Sequence, residues 1–251
     1  MTIQIREIDL KSIESFRELF RRQMNCQIVH DSIHTRLGWT KEFQIIADWE
    51  TAGYGSLAVA GPWSDLPTIY EFYIIPEFRN RTFELFEAFL NVCGSQRIET
   101  QSNDALLTNM MFTFFKNFFS EAILFEDHGG QLACPASCIF RSVNSNDSNA
   151  LRKNELDPEA QWLLEYEQTV VAAGGILYHY NRPYGDIYMQ VSQPYRRRGY
   201  GAYLVQELKR ICRERGSIPA ARCNVENVAS RKTLQKAGFV PCGHIVIGTR
   251  T

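Results

Sequence analysis

Residues Val191-Ser-Gln-Pro-Tyr-Arg-Arg-Arg-Gly-Tyr-Gly-Ala202 constrain the fold of this 251-residue chain more than any other stretch. Gly199 and Gly201 stand between an apolar strand-like run, Ile187 to Val191, and a helical pattern of Tyr203, Leu204, Leu208, Ile211 and Cys212. Glycine permits turns and close backbone approaches that a Cβ forbids. A helix start presents unpaired N–H groups and the positive end of a dipole, which suits phosphate. Arg196, Arg197 and Arg198 add positive charge at the same place. The stretch is therefore expected to be an anion cradle for a pyrophosphate. Its donors would be the backbone amides of Arg197, Arg198, Gly199, Tyr200, Gly201 and Ala202.

A pattern this short arises by chance about once per thousand positions, so its surroundings decide the reading. The dinucleotide fingerprint wants glycine where Leu204 stands, and no Gly-Lys-Ser/Thr supports a triphosphate loop. The helical pattern ends at Gly216, and Ile218 to Val225 follows as a strand. Asn227-Val-Ala-Ser230-Arg-Lys-Thr-Leu-Gln-Lys236-Ala-Gly238-Phe239 then predicts a short helix capped by Asn227 and closed by Gly238.

With these two motifs in this order, residues of about 160–251 resemble the GNAT superfamily of acetyl-CoA-dependent N-acetyltransferases. Residues 191–202 are similar to its V-x-P-x-x-R-x-x-G-x-G/A element, and 227–239 to its N-x-x-S/A…K-x-G-F element. The resemblance implies acetyl-CoA as co-substrate, with no metal. It also implies that the strand before the cradle splays from its neighbour. Backbone amides around Met189, Gln190 and Val191 would then pair with the pantetheine arm and the thioester oxygen. One or two of the three arginines are expected to touch phosphate, with Arg196 partly structural. Asn227 is as readily a helix cap as a second contact to the cofactor arm, and Ser230 and Lys236 are weaker candidates.

The acceptor amine must be neutral to attack, yet free amines titrate near ~10. Asp186, at the start of the cradle strand, is the first candidate for general base, with Glu165 and Glu167 as alternatives. Asp186 lies one position out of the family's register, which on a strand can turn a side chain to the other face. Leu234 stands where many family members carry a tyrosine that protonates the departing thiolate. Tyr188 is the substitute, unless a thiol of pKa ~8.5 needs none.

Earlier in the chain, Ile3 to Ile8 alternates as a strand, and Asp9 is placed to cap a helix reaching about Gln23. Residues 24–50 give only a coarse expectation of helix and loop. Tyr54 to Ala60 and Thr68 to Ile75 are expected strands. A helix follows, with Phe83, Phe86, Phe89 and Leu90 on one face. Phe112 to Phe119 has the spacing of a buried helix face, and Ala122 to Phe125 that of a strand. Asp157-Pro158 predicts a brief helix. Gln168 to Tyr180 and Gly185 to Val191 predict a hairpin.

The first half resembles the second in order. Arg79-Asn-Arg-Thr-Phe-Glu84 falls in register with Arg196-Arg-Arg-Gly-Tyr-Gly201, each between a strand and an amphipathic helix. Both glycines are lost in the first copy, and Glu84 places a carboxylate where a pyrophosphate would sit, so like charges repel. The expected architecture is thus α/β: two GNAT-like modules, each a mixed twisted sheet flanked by helices. Residues 1–132 form a degenerate module and 133–251 the module that binds acetyl-CoA. Gly201→Glu, which copies the first module, is expected to abolish that binding and leave the fold intact.

Composition adds boundaries. A formal net charge of −1 gives no reason to expect nucleic acid or an anionic membrane as partner. No run approaches membrane-spanning length, and the N-terminus lacks a signal-peptide core. Seven scattered cysteines suit a reducing cytoplasm, with Cys134 and Cys138 neither metal-spaced nor near a second pair. His30 and His34 share helical spacing but lack an evident third ligand. The function expected is acetylation of a primary amine on a small molecule or peptide by direct attack. A protein lysine or N-terminus as acceptor, and a non-catalytic acyl-CoA-binding sensor, are the alternatives. The oligomeric state is not legible.

Overall fold

The computed structural model describes residues 2–24, 27, 31–135 and 137–250. The chain divides into two compact units, one of residues 1–122 with 243–251, the other of residues 123–242. Against the sequence expectation of 1–132 and 133–251, residues 123–132 fall in the second unit and residues 243–251 in the first.

The first unit begins with β1 (Ile3–Ile8), a 3-10 turn (Leu10–Ile13) and α1 (Glu14–Met24). The Asp9 side chain makes no cap bond to that turn. β2 (Thr40–Ala47), β3 (Glu50–Ala58), β4 (Thr68–Ile74), α2 (Thr82–Cys93), β5 (Arg97–Gln101) and α3 (Ala105–Phe114) follow. Antiparallel pairing runs β1-β2-β3-β4, and β4 pairs in parallel with β5. Ile245–Thr249 at the C-terminus add antiparallel to β5. One sheet face packs Phe43, Phe72 and Ile98 against Phe86, Phe89 and Leu90 of α2. The other packs Tyr54 and Tyr73 against Ile13 and Phe20.

Several sequence expectations shift here. β2 occupies part of the 24–50 stretch, whose polar–apolar alternation at Glu42–Ile45 is interrupted by a bulge between Ile45 and Ile46. Phe83 is 55% exposed, and Leu85 takes its place on the buried face of α2. Phe112 is likewise exposed on α3, and Phe118 and Phe119 are exposed on β6 (Lys116–Asp127), which begins two residues after α3 stops at Phe114. A change from helical to strand periodicity inside one aromatic run cannot be seen from spacing alone.

β6 leads into the second unit, which continues with β7 (Cys138–Ser142), α4 (Ser148–Lys153), β8 (Trp162–Tyr166) and β9 (Thr169–Leu177). Then come β10 (Tyr184–Val191), α5 (Tyr200–Glu214), β11 (Ile218–Asn224), α6 (Val228–Lys236) and β12 (Phe239–Thr249). The order β7-β8-β9-β10 is antiparallel, and β11 joins β10 in parallel. α5 lays Leu204, Val205, Leu208 and Cys212 on Ile176, Ile187 and Ala221, while Leu151 of α4 packs with Leu163 and Ala173. The helix expected at Asp157-Pro158 is a turn, and the short helix lies earlier, in the polar stretch at 148–153. Lys209 is fully buried in α5 and donates to the carbonyls of Gly129 (2.8 Å) and Ala237 (2.6 Å) beside the Asp127 carboxylate.

A buried ionic cluster fills the first unit between α1 and the sheet. Arg17 donates from Nε and Nη2 to the two oxygens of Glu71 (3.1 and 3.2 Å) and also reaches Asp31 (2.5 Å). Tyr54 donates to Glu71 at 2.8 Å. His34 faces Glu42 with Nδ1 (2.8 Å) and Glu71 with Nε2 (3.0 Å), while Ser56 donates to Glu42. Burial opposes ionisation of Glu71, but Arg17 and His34 outweigh it and hold the carboxyl well below its usual range. Burial likewise opposes a charged His34, yet Glu71 and Glu42 raise it.

Because Glu71 is depressed in the folded state, its contribution is present above the unfolded carboxyl range near ~4.3 and fades as pH falls below it. Glu71→Gln, which strands Arg17 and His34, is expected to cost about 3–5 kcal/mol near pH 6. Thermal unfolding from pH 6 down to 2.5 should show the gap between the two proteins narrowing; a gap independent of pH contradicts the assignment.

Candidate functional site: a splayed strand pair and a glycine cradle

β10 is fully paired on one side only. Its register with β9 runs from Asp186↔Leu177 to Val191↔Ala172. Its register with β11 covers only Tyr184↔Ile218, Gly185↔Pro219 and Asp186↔Ala220. Beyond Asp186 the two parallel strands part. Ser192 donates its N–H to Val171 at 3.0 Å, which sets the phase of the antiparallel ladder. Peptide groups alternate along a strand, so Gln190 points into β9 while Met189 and Val191 point into the opened side. The Gln190 side chain is also engaged, accepting from the Asp157 amide at 2.8 Å. The splay expected from the family resemblance is thus present, with its free peptide groups at Met189 and Val191.

The chain then turns through Gln193–Tyr195 and enters α5. Arg197 (φ 62°) and Gly199 (φ 93°) both take the left-handed conformation, and Gly199 is the N-cap without any side-chain cap bond. Among the described residues, the amides of Gly199, Tyr200, Gly201 and Ala202 donate to no protein acceptor. Four unpaired donors at the positive end of a 15-residue helix give this turn the chemistry to hold an anion.

The side chains around the cradle divide by role. Arg196 donates from Nε to the Val191 carbonyl at 3.2 Å and ties the turn to the strand end. Arg197 and Arg198 are exposed, the latter 5.5 Å over the Tyr195 ring. Tyr200 is buried against Tyr166 and Tyr195. A Cβ on Gly199 would lie 3.2 Å from Pro135 and 3.8 Å from the Lys236 ammonium, which places a second cation at the helix start. A Cβ on Gly201 would meet Val191 at 3.0 Å and Thr233 at 3.2 Å. Gly201 therefore serves the packing of α5 on β10 and α6. Gly201→Glu would have to displace the Val191 and Thr233 side chains, so loss of binding in that variant would report packing as well as charge.

Asn227 caps α6, accepting the Ser230 N–H at 3.0 Å. The Ser230 hydroxyl faces the Cys223 thiol, which burial raises despite that contact. Leu234 is buried in the core.

At the closed end of the gap, Asp186 is buried, with Oδ2 2.9 Å from His179 Nε2 and 3.5 Å from Arg222 Nε. Sequence reasoning missed His179. The hairpin register offered the signal, since Leu177 opposite Asp186 brings the residues just beyond it to the same end. Tyr188 packs over Gly175, and burial together with Asp157 pushes its hydroxyl up to about 12. Glu165 is held by Arg141 at 3.2 Å, and Glu167, in the exposed turn after β8, accepts from Tyr166 at 2.7 Å.

The first unit repeats the splay. β4 pairs with β5 only at Thr68↔Arg97 and Ile69↔Ile98. At the start of α2, however, Arg81 binds Glu84 through Nε (3.0 Å) and Nη2 (3.2 Å), and Asp48 through Nη1 (2.8 Å). Thr82 donates to the Arg79 carbonyl at 2.8 Å. The chain's own carboxylates take the place of an outside anion.

Two remaining motifs resolve differently. His30 lies outside the described residues; His34 spends both ring nitrogens on carboxylates, and no group of three or more metal-binding side chains occurs among the described residues. Cys134 and Cys138 form a disulfide on the loop that carries Pro135 to Gly199. No described helix is long and apolar enough to cross a membrane.

Residues 134–239 match the model of the acetyltransferase (GNAT) family. Among solved structures, a GNAT-family acetyltransferase from Colwellia psychrerythraea aligns with TM-score 0.73 at 16% identity, covering 99% of this chain and 100% of that one. A GCN5-related N-acetyltransferase from Sphaerobacter thermophilus aligns with TM-score 0.62 at 14% identity, covering 98% and 94%. A tandem GNAT protein from the clavulanic acid biosynthesis pathway gives 0.58 at 11%, covering 99% and 98%. At such identities these likenesses speak for the fold. No curated protein sequence matches the chain. The splayed strands and the glycine cradle fall within residues 134–239, the part of the chain that matches the acetyltransferase (GNAT) family model.

Proposed function

We propose that the second unit transfers the acetyl group of acetyl-CoA to a primary amine on a small molecule or peptide by direct attack. The observation that carries this reading is the run of unpaired amides along one ligand path. Met189 and Val191 open it in the splay, and Gly199 to Ala202 close it at the helix start. A thioester carbonyl and a pantetheine amide are acceptors for the first pair, and a pyrophosphate for the second. Arg197, Arg198 and Lys236 add charge at the pyrophosphate end, while Arg196, Gln190, Asn227 and Ser230 hold the walls. Asp186 and Tyr188 mark the end where the amine must lose its proton. A cytoplasmic setting stays part of this reading on the thiols Cys93, Cys212 and Cys223, while the Cys134–Cys138 disulfide runs against the reducing setting expected from the sequence.

The first unit is proposed as a degenerate copy that keeps the splay and has given up the cofactor. Glu84 and Asp48 already neutralise Arg81 at its helix start. A non-catalytic acyl-CoA sensor is the second reading, favoured by Leu234 at the acid position. Calorimetry should give one acetyl-CoA per chain, and the stoichiometry should stay at one after Thr82→Gly with Glu84→Gly. Gly199→Ala forces a Cβ into the left-handed region beside Pro135 and is expected to weaken acetyl-CoA binding about tenfold, from ~1–2 kcal/mol of strain. Unchanged affinity would remove the cradle from the account. Thiol release with a panel of primary amines separates enzyme from sensor: tight binding with no turnover leaves only the sensor.

A further inference from the structure

The closed end of the gap gathers His179, Tyr180 and Arg222 around Asp186, and of these four only Asp186 is a catalytic candidate from the sequence. We propose that His179, oriented by Asp186, takes the proton from the acceptor ammonium. This inference rests on the acetyl-transfer reading and deepens it.

Asp186 sits on the last rung that β10 shares with β11, where the opened path begins. Its side chain is only 6% exposed, and Oδ2 already faces both His179 and Arg222. To accept the proton itself it would have to leave those partners, and an acceptor amine has little surface of it to touch. His179 differs on each count. Its side chain is 22% exposed, Nε2 lies at ion-pair distance from Asp186 without hydrogen-bond alignment, and Nδ1 bonds to no described residue. The tautomer that does this carries its proton on Nε2, the side nearest the carboxylate, with Nδ1 as the acceptor.

Tyr180 completes the corner. Its ring stands edge-on to His179, with centroids 5.0 Å apart, and the Arg222 guanidinium lies 5.9 Å from its centroid. The Tyr180 hydroxyl is buried beside the Asp186 carboxylate. Burial and the Asp186 charge hold that hydroxyl protonated. The competing bases are engaged or unsuitable: Glu165 is bound to Arg141, and Tyr188 keeps its proton to about 12.

The step balances without another reactant. The ammonium N–H proton passes to Nδ1, and the freed nitrogen pair forms the N–C bond to the thioester carbonyl. The C–S bond breaks with its electron pair on sulfur. The second amine proton leaves the new amide nitrogen to solvent, and the imidazolium returns its own to the thiolate.

The test uses the full chain, saturating acetyl-CoA and primary amines graded from alkylamines to weakly basic aniline and hydroxylamine, read as thiol release. His179→Ala is expected to lower kcat about 100-fold for alkylamines. The loss should shrink toward the weakly basic amines, which are neutral without help, and added imidazole should restore part of it. Acetyl-CoA affinity by calorimetry should stay within about twofold, because His179 lies outside the cradle. Asp186→Asn should show a smaller loss with the same dependence on amine basicity. His179→Gln, checked by thermal unfolding, repeats the measurement should the alanine variant misfold. An unchanged kcat, or a loss equal across the series with no imidazole rescue, overturns the proposal. A wild-type protein that binds acetyl-CoA and acetylates none of the amines overturns the acetyl-transfer reading instead, and this proposal with it.

Discussion

Everything at the site depends on a pairing that stops early. Parallel strands gain a hydrogen bond at each rung, yet β10 and β11 separate after Asp186↔Ala220. The unmade rungs leave strand donors facing outward, open to water or to a ligand with matching acceptors. β9 holds the other edge of β10 in full register, so the open edge stays straight and correctly phased. A strand paired on one side and bare on the other is thus a rigid template for an extended amide-bearing chain.

The same backbone device occurs in both units, and electrostatics separates them. In the second, glycine at position 199 lets the turn reach a helix start crowded by cations and empty of carboxylates. In the first, Glu84 and Asp48 satisfy Arg81 within the protein. An internal carboxylate has an effective concentration no free phosphate matches. Loss of the ligand site therefore needs no change of fold.

The first unit has spent its polar interior on structure. Arg17, Glu71, His34 and Glu42 are fully engaged with one another, as a buried ion cluster must be to offset its desolvation. Such a network fixes the placement of α1 and of the 31–35 turn on the sheet. The polar corner of the second unit is smaller, with His179, Tyr180 and Arg222 gathered around the single carboxylate of Asp186.

Much of this was legible in one dimension. Gly199, Gly201 and Asn227 announce themselves because backbone needs at turns and helix starts admit few residue types, and those needs are local. The order of strands and helices around them follows from periodicity for the same reason. Some features had no local signature: the switch from helix to strand after Phe114, the short strand β8, the engagement of Gly201 with Thr233, and the meeting of His179 with Asp186 and Arg222. Each of these depends on which residues become neighbours across strands. The sequence by itself thus determined the glycine turn and its likeness to the GNAT motifs, since backbone geometry is written residue by residue. Only the tertiary structure decided which groups stand at the closed end of the gap and which carboxylates are already taken, since charge pairing is settled by proximity in space.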